Sequence, residues 1–223
     1  MAITIALAAL KGGVGKSTLS LNLATCLHRA GHKVLIVDAD PQGTCRTWAG
    51  KAAEIEHEGP PVVSISGKSL RRDLGQVSEG FDVVIVDSPP RLGTEVRAAM
   101  LAADLVVLPV IPGGADVWAL QETLVVLEEA QEFRPELKAA VVLNRSDRTT
   151  LAKMTKNAVV GSNVPVIAKP ITNRVAIGEA TLAGMGVIDY APKSQSAKEI
   201  QNLTQAILSE IGGDTKWREK VAA

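Results

Sequence analysis

The stretch from Ile3 to Thr18 reads ITIALAALKGGVGKST, an apolar run followed directly by a loop of small residues. A glycine-rich turn between a strand and a helix lets backbone N–H groups converge on phosphate oxygens, where larger side chains would obstruct them. The final Gly-Lys-Ser completes the spacing G-x-x-x-x-G-K-[ST], but Leu10 stands where that pattern has its first glycine. The departure gives the deviant Walker A form K-G-G-x-G-K-[ST], which carries a second lysine at Lys11.

The order of the elements favours a phosphate site over a simple glycine turn with an exposed lysine. A strand precedes the loop and a helix follows it, so the positive end of the helix dipole points at the loop. We expect Lys16 to reach the β- and γ-phosphates of a nucleotide and Ser17, rather than Thr18, to ligate Mg²⁺. The predicted nucleotide-binding loop comprises Lys11, Gly12, Gly13, Val14, Gly15, Lys16, Ser17 and Thr18.

Length and composition favour one α/β domain. Of the 223 residues, 46% are hydrophobic and only 3% are aromatic, so Ala, Val, Ile and Leu must build the core. That aliphatic mixture is typical of parallel strands covered by helices. We predict a single-domain P-loop fold with a mostly parallel sheet flanked by helices on both faces over residues 1–213, followed by a charged, frayed tail over 214–223.

Apolar runs of strand length alternate with stretches of helical periodicity along the whole chain. The predicted strands are Ile3–Ala9, Val34–Val37, Val62–Ile65, Val83–Val86, Leu105–Val110, Ala140–Leu143 and Val166–Ile167. The predicted helices are Thr18–Ala30, a short one near Thr47, Leu70–Val77, Glu95–Ala103, Asp116–Glu132, Leu151–Asn157, Val175–Ala183 and Ser196–Ile211. This order predicts right-handed crossovers between parallel strands.

Charge, cysteines and hydropathy narrow the class of protein. The chain has 24 basic and 24 acidic residues, so contact with nucleic acid or an anionic membrane would require a local basic patch. Cys26 and Cys45 lack the spacing of a metal site or a disulfide framework, which fits a reducing cytoplasm. The apolar N-terminus has no basic leader, and no stretch approaches the roughly 20 apolar residues of a membrane span. We expect a cytoplasmic protein without membrane contact.

Two aspartate clusters follow predicted strands, at the sheet edge where open α/β folds bind ligands. The first reads Asp38-Ala39-Asp40-Pro41-Gln42-Gly43 and the second Val86-Asp87-Ser88-Pro89-Pro90. We expect Asp87 to hold Mg²⁺ through water, in the Walker B role, and Asp40 to position the attacking water. The alternative is that a strand-end aspartate caps the next helix.

Asn144-Arg145-Ser146-Asp147 follows another predicted strand and superficially resembles the guanine-reading N-K-x-D motif of GTPases. Asn144 is a candidate for contact with the nucleotide base. Asn and Asp are also ordinary turn residues after a strand, so the motif alone does not assign a guanine site.

The loop 11–18, the segment 38–43 and the segment 86–90 together resemble the ParA/MinD family of deviant Walker A ATPases, over nearly the whole chain. The later stretch 170–176, PITNRVA, is similar to the short ParF-like partition ATPases that lack an N-terminal DNA-binding extension. The resemblance favours adenine over guanine and implies ATP and Mg²⁺ as cofactors.

The same resemblance implies roles for particular residues. Lys11 matches the signature lysine that reaches the partner's phosphates across a nucleotide-sandwich homodimer, and Asp40 matches a carboxylate needed for hydrolysis. With Lys16, these residues form the expected catalytic set. Such ATPases are slow alone, bind non-specific DNA as ATP dimers on the nucleoid, and are stimulated by a cargo-bound, ParB-like activator. Their cargo is a plasmid, a chromosome or a protein cluster.

Basic residues of the C-terminal third are the candidates for a DNA surface, which a dimer would double. They are Lys153, Lys156, Lys169, Arg174, Lys193 and Lys198. Each is also explained as an ordinary solvated side chain.

Two other classes remain open from the sequence. A MinD-like membrane-cycling ATPase requires an amphipathic C-terminal helix, and residues 214–223 contain little that is apolar apart from one Trp. A metabolic ATP-dependent enzyme on the same scaffold would show ATP turnover that depends on a small molecule.

Overall fold

A computed structural model describes residues 2–67, 69–90, 93–146, 153, 155, 157, 159, 164–167 and 169–211. Six strands form one sheet in the order β3-β2-β4-β1-β5-β6, and every pairing is parallel. The strands are β1 (Ile3–Leu7), β2 (Val34–Asp38), β3 (Val62–Ser64), β4 (Val83–Asp87), β5 (Leu105–Val110) and β6 (Lys138–Leu143). The predicted α/β class with a parallel sheet is confirmed.

Eight helices with defined bounds occur in the described residues. They are α1 (Lys16–Arg29), α2 (Thr44–Glu54), α3 (Leu70–Val77), α4 (Gly93–Ala102), α5 (Gly114–Phe133), α6 (Val175–Leu182), α7 (Val187–Tyr190) and α8 (Gln195–Glu210). Successive strand residues point to opposite faces of the sheet, so two separate cores form. Helices α1, α2, α6, α7 and α8 contribute to one core, and α3, α4 and α5 to the other.

Some predicted elements differ from the structure. Val166 makes only an isolated parallel bridge to Val141, so the predicted strand Val166–Ile167 is wrong. The short helix expected near Thr47 extends over eleven residues, and α7 was not predicted because four residues are too few to show helical periodicity. The predicted helix over 151–157 falls partly, and the tail over 214–223 entirely, outside the described residues.

The described helices include none that combines the length and the apolar character needed to cross a lipid bilayer.

The strand order brings the functional segments together. Strand β4 lies between β1 and β2, and the register places Asp87 opposite both Leu7 and Asp38. All three residues end their strands at the same edge because the sheet is parallel. The glycine loop leaves β1 at this edge, where α/β sheets bind ligands.

Candidate nucleotide-binding site

The glycine loop ends at a position that only glycine can fill. Gly15 has a φ of 97°, in the left-handed region, and precedes the first residue of α1. A Cβ on Gly15 would collide with the side-chain amide of Asn144. No side chain caps the start of α1 and its first turn has no acidic residue, so its N–H groups are available to an anion.

Lys16 is buried, with 6% of its surface exposed, at the base of the loop. Its Nζ donates to the carbonyl oxygens of Ala9, at 3.2 Å, and Lys11, at 3.3 Å. Burial lowers the pKa of Lys16, and the negative charges of Asp87 and Asp40 act in the opposite direction. The ammonium is thus held inside the loop by two carbonyls, where it can face a phosphate.

Asp87 is fully buried at the end of β4. Its oxygens accept from the Ser20 hydroxyl, at 3.3 Å, and from the Cys45 thiol, at 3.4 Å. Burial raises the pKa of Asp87 to about 6, and hydrogen bonds from Ser17 and Cys45 lower it in part. The contacts of Ser20 and Cys45 with Asp87 were not predicted, since neither residue belongs to a motif.

The donor atoms at this edge suit Mg²⁺. Within the described part of the chain, no group of three or more His, Cys, Asp or Glu could hold a metal ion. Mg²⁺ in nucleotide sites keeps several waters and uses one or two protein oxygens together with phosphate oxygens. Ser17 is near enough to Asp87 to lower the pKa of its carboxyl, so these two oxygen donors are neighbours at this edge.

The two aspartates after β2 have different surroundings. Asp38, 2% exposed, accepts from the backbone N–H of Asp40, at 3.2 Å, and of Arg46, at 3.0 Å. Burial raises its pKa, and these hydrogen bonds lower it in part. Arg46 is the third residue of α2, so Asp38 satisfies an N-terminal N–H of that helix, as the capping alternative predicts. Asp40 is half-buried and accepts from Gln42 N at 3.0 Å.

Lys11 lies at the rim of the loop, and its side chain contacts a different part of the protein from that of Lys16. Its Nζ makes an ion pair with Asp116 Oδ1, at 2.8 Å, in the first turn of α5. The Lys11 side chain is 37% exposed, whereas that of Asp116 is 16% exposed. The two lysines therefore occupy separate environments, and the partner of Lys11 within its own chain is Asp116.

Asn144 is 4% exposed and its Nδ2 donates to the carbonyl of Val14, at 2.8 Å. The amide group thus fixes the phosphate loop from the end of β6, a role that the sequence did not predict. Asn144 also lines an open cavity of about 420 Å³, together with Thr18, Thr172 and Arg174. Base contact by Asn144 stays a prediction.

Glu199 of α8 braces the cavity wall. Its carboxylate accepts from the Thr172 backbone N–H, at 2.9 Å, and from the Thr172 hydroxyl, at 3.1 Å. It also lies 3.5 Å from the guanidinium of Arg174. In the sequence, the stretch 170–176 was noted for its similarity to ParF-like ATPases. No motif pointed to Glu199 as its support.

Of the candidate DNA-binding residues that the structure describes, Arg174 lines the cavity and the others do not. Those with described surfaces are exposed, and Lys156 lies outside the described residues. The exposed ones are Lys153, Lys169, Arg174, Lys193 and Lys198.

Comparisons with known proteins identify the family of this chain. The profile of the CobQ/CobB/MinD/ParA nucleotide binding domain matches residues 5–188. The chain is 32% identical over 212 residues to maintenance of carboxysome distribution protein A of Halothiobacillus neapolitanus, covering 94% of this chain and 96% of the relative. It is 30% identical to the chromosome-partitioning ATPase Soj of Thermus thermophilus, covering 93% and 96%.

Among solved structures, the septum site-determining protein MinD of Pyrococcus horikoshii, complexed with Mg-ADP, superposes with a TM-score of 0.74. The identity is 22%, with 93% of this chain and 96% of that chain covered, so this likeness concerns the fold. A matching nucleotide-binding profile over most of the chain, and relatives at 30% identity or more over nearly full length, lead to one conclusion: this chain belongs to the CobQ/CobB/MinD/ParA nucleotide-binding family and resembles its ParA-type members.

Proposed function

We propose that this protein is a ParA-type ATPase that binds Mg-ATP, dimerises in the ATP state, binds non-specific DNA and positions a cargo through a cargo-bound activator. The observation that carries the proposal is the contrast between its two loop lysines. Lys16 is buried within its own phosphate loop, whereas Lys11 projects at the rim and is partly exposed. One lysine serves the nucleotide of its own chain, and the other is placed for a second copy.

The proposed role of each site residue follows from its charge and its position. Lys16 and the first turn of α1 bind the β- and γ-phosphates, while Ser17 and Asp87 hold Mg²⁺, which neutralises phosphate charge. Asp40, half-buried at the same sheet edge, orients the attacking water. A trans contact between Lys11 and the partner's phosphates makes the dimer depend on the nucleotide, so ATP binding and dimerisation stabilise each other.

The relatives support the cellular role. One is named for carboxysome distribution and another for chromosome partitioning, so related chains position cargoes of quite different kinds. The exposed basic residues of the C-terminal third supply a surface for DNA, and Arg174 is the least favourable of them because it is paired with Glu199. On this reading the protein acts in the cytoplasm, on the nucleoid.

The test measures molecular mass and DNA binding of the purified protein with ATP, ADP or no nucleotide across a salt series. We expect an ATP-specific dimer that binds DNA with a steep, salt-dependent affinity. An ATP dimer that ignores DNA but binds lipid vesicles would support a MinD-like role instead. Turnover that requires a small molecule would indicate a metabolic enzyme.

Three variants separate the residue roles. Lys16→Ala is expected to abolish nucleotide binding, since the loop loses its internal cation. Lys11→Ala is expected to retain most nucleotide binding and to lose dimerisation. Asp40→Ala is expected to hold the ATP dimer without turnover, and normal turnover in that variant would contradict the assignment of Asp40.

A further inference from the structure

Each oxygen of the Asp87 carboxylate accepts a hydrogen bond from a different helix. The Ser20 hydroxyl of α1 donates to Oδ1, at 3.3 Å, and the Cys45 thiol of α2 donates to Oδ2, at 3.4 Å. All three side chains are fully buried. The direction of the carboxylate is therefore set by α1 and α2 together, and Cys45 is the contribution of α2.

The thiol of Cys45 acts as a donor in this setting. Burial and the negative charge of Asp87 raise the pKa of the thiol, so it keeps its proton. A thiol is a weak donor, and its hydrogen bond is strengthened when the acceptor is ionised. A hydrogen bond donated to a carboxylate in turn favours the ionised form, which is the form that binds a cation.

Helix α2 begins directly after the segment that carries Asp40. Cys45 is the second residue of this helix, five positions beyond Asp40. Trp48 lies three residues further along and thus on the same face of the helix. Its side chain is buried, and its Nε1 donates to the carbonyl of Met185 at 3.2 Å. Trp48 therefore anchors this face of α2 to the body of the protein, while Cys45 connects it to Asp87.

We propose that Cys45 is a positioning residue for Mg²⁺: its thiol keeps the Asp87 carboxylate in the orientation that the cation requires and couples cation binding to the position of α2. Mg²⁺ demands near-ideal octahedral geometry, so a carboxylate that is free to rotate serves it less well. In this role Cys45 acts through Asp87 and does not touch the nucleotide. The inference rests on the Mg²⁺ site of the proposed function and adds to it a residue that no motif marks.

Packing alone does not account for this contact. An apolar side chain at position 45 would fill similar space but would remove the donor to Oδ2 of Asp87. Loss of a donor to a buried charged oxygen costs free energy, because water does not replace it. Cys26, the other cysteine of the chain, is half-buried on α1 and packs against the same core as Cys45. It provides a matched control for the replacement of a cysteine as such.

The experiment measures nucleotide affinity with and without the metal. A fluorescent ADP analogue is titrated into the full chain in Mg²⁺ and in chelator, and the ratio of the two dissociation constants gives the gain in affinity from Mg²⁺. Cys45→Ala removes the donor, Cys45→Ser replaces it with a hydroxyl donor, and Cys26→Ala is the control. The use of ADP keeps hydrolysis and ATP-dependent dimerisation out of the measurement.

We expect Cys45→Ala to reduce the gain from Mg²⁺ by about two- to tenfold, the range that one hydrogen bond supplies, with little change in chelator. Cys45→Ser is expected to restore the gain, and Cys26→Ala to keep it. An equal loss of affinity in Mg²⁺ and in chelator would show that Cys45 only supports the fold, and would overturn the proposal. An unchanged gain in Cys45→Ala, or a serine variant that behaves like the alanine variant, would overturn it as well.

A second measurement follows the contact directly. The chain has two cysteines, so in Cys26→Ala the S–H stretching band of the infrared spectrum comes from Cys45 alone. Mg²⁺ with ADP is expected to move this band to higher frequency, because the cation draws charge from the Asp87 carboxylate and weakens the hydrogen bond of the thiol. ADP in chelator is expected to leave the band in place. A band that ignores Mg²⁺, while Mg²⁺ still raises the affinity for ADP, would overturn the proposal.

Failure of the proposed function is distinct from failure of this inference. It appears already in the wild type, as a protein that binds no nucleotide or whose nucleotide affinity does not depend on Mg²⁺. The role of Cys45 fails only where the wild type gains affinity from Mg²⁺ and Cys45→Ala gains it equally, or loses affinity without regard to the metal.

Discussion

Replacement of Asp87 with Asn is expected to stabilise the protein in the absence of nucleotide and Mg²⁺, by an amount that grows with pH. The carboxyl is fully buried, and burial raises its pKa from 3.8 to about 6. The folded protein therefore holds the proton more tightly than the unfolded chain does. Stability falls as the pH rises through this interval and the group must ionise inside the protein. Asn has nearly the same shape and never ionises.

The size of the effect follows from the pKa difference. The pKa of Asp87 is 3.8 in the unfolded chain and about 6 in the folded protein. By proton linkage, this difference lowers the free energy of unfolding of the wild type by ~1.5 kcal/mol near pH 5 and ~3 kcal/mol above pH 7. Asn loses one acceptor, since its NH₂ group cannot accept from the Cys45 thiol, at a cost of ~1 kcal/mol. The net gain in the free energy of unfolding is thus small near pH 5 and ~2 kcal/mol near pH 7.5.

The assay is urea unfolding of wild type and Asp87→Asn at several pH values from 5 to 8, with a chelator present. Other titrating groups are common to both proteins and cancel in the difference. A difference in stability that does not change with pH would refute the assignment of a raised pKa to Asp87. If Asp87→Asn is less stable than wild type at pH 7.5, the hydrogen bonds of the Asp87 carboxylate stabilise the fold by more than its desolvation costs.

Three further changes test the site and its supports. Gly15→Ala is expected to destabilise the loop by ~1–3 kcal/mol and to abolish binding of a fluorescent ATP analogue, because the new methyl group meets Asn144 and the φ of 97° suits only glycine. Asp116→Asn is expected to release Lys11 and to lower the protein concentration needed for ATP-dependent dimerisation by up to about fivefold, measured by sedimentation; an unchanged midpoint would show that the ion pair does not compete. Gly184→Ala is expected to lower the free energy of unfolding by at least ~2 kcal/mol in urea, because a Cβ there collides with the backbone of α2 at a φ of 73°.

The sequence was sufficient to predict those strands and loops that a short apolar run or a motif marks. The apolar run before the glycine loop and the run before Asp87 each form a buried strand, and the loop precedes a helix. In a parallel sheet these local facts already place the loop and the strand-end aspartates at one edge. The fold class and the position of the loop therefore needed no long-range information.

The remaining contacts join residues that are distant in the sequence. Asn144 reaches the carbonyl of Val14 from 130 positions away, and Cys45 reaches Asp87 across 42. Glu199 of α8 accepts from Thr172, which lies 27 positions earlier and outside any helix. Periodicity and motif spacing carry no information about which side chains meet across the sheet, so these supports emerge only from the packed structure.

Helix α5 contacts the second lysine of the phosphate loop, although the two lie about a hundred positions apart in the sequence. The first turn of α5 holds Lys11 through Asp116. Because the ion pair is partly exposed, it contributes at most about 1 kcal/mol. Loss of this pair can thus change the availability of Lys11 by about fivefold and no more. A larger stimulation by a partner would have to act at the phosphates themselves, for example by orienting the water at Asp40 or adding a positive charge beside the nucleotide.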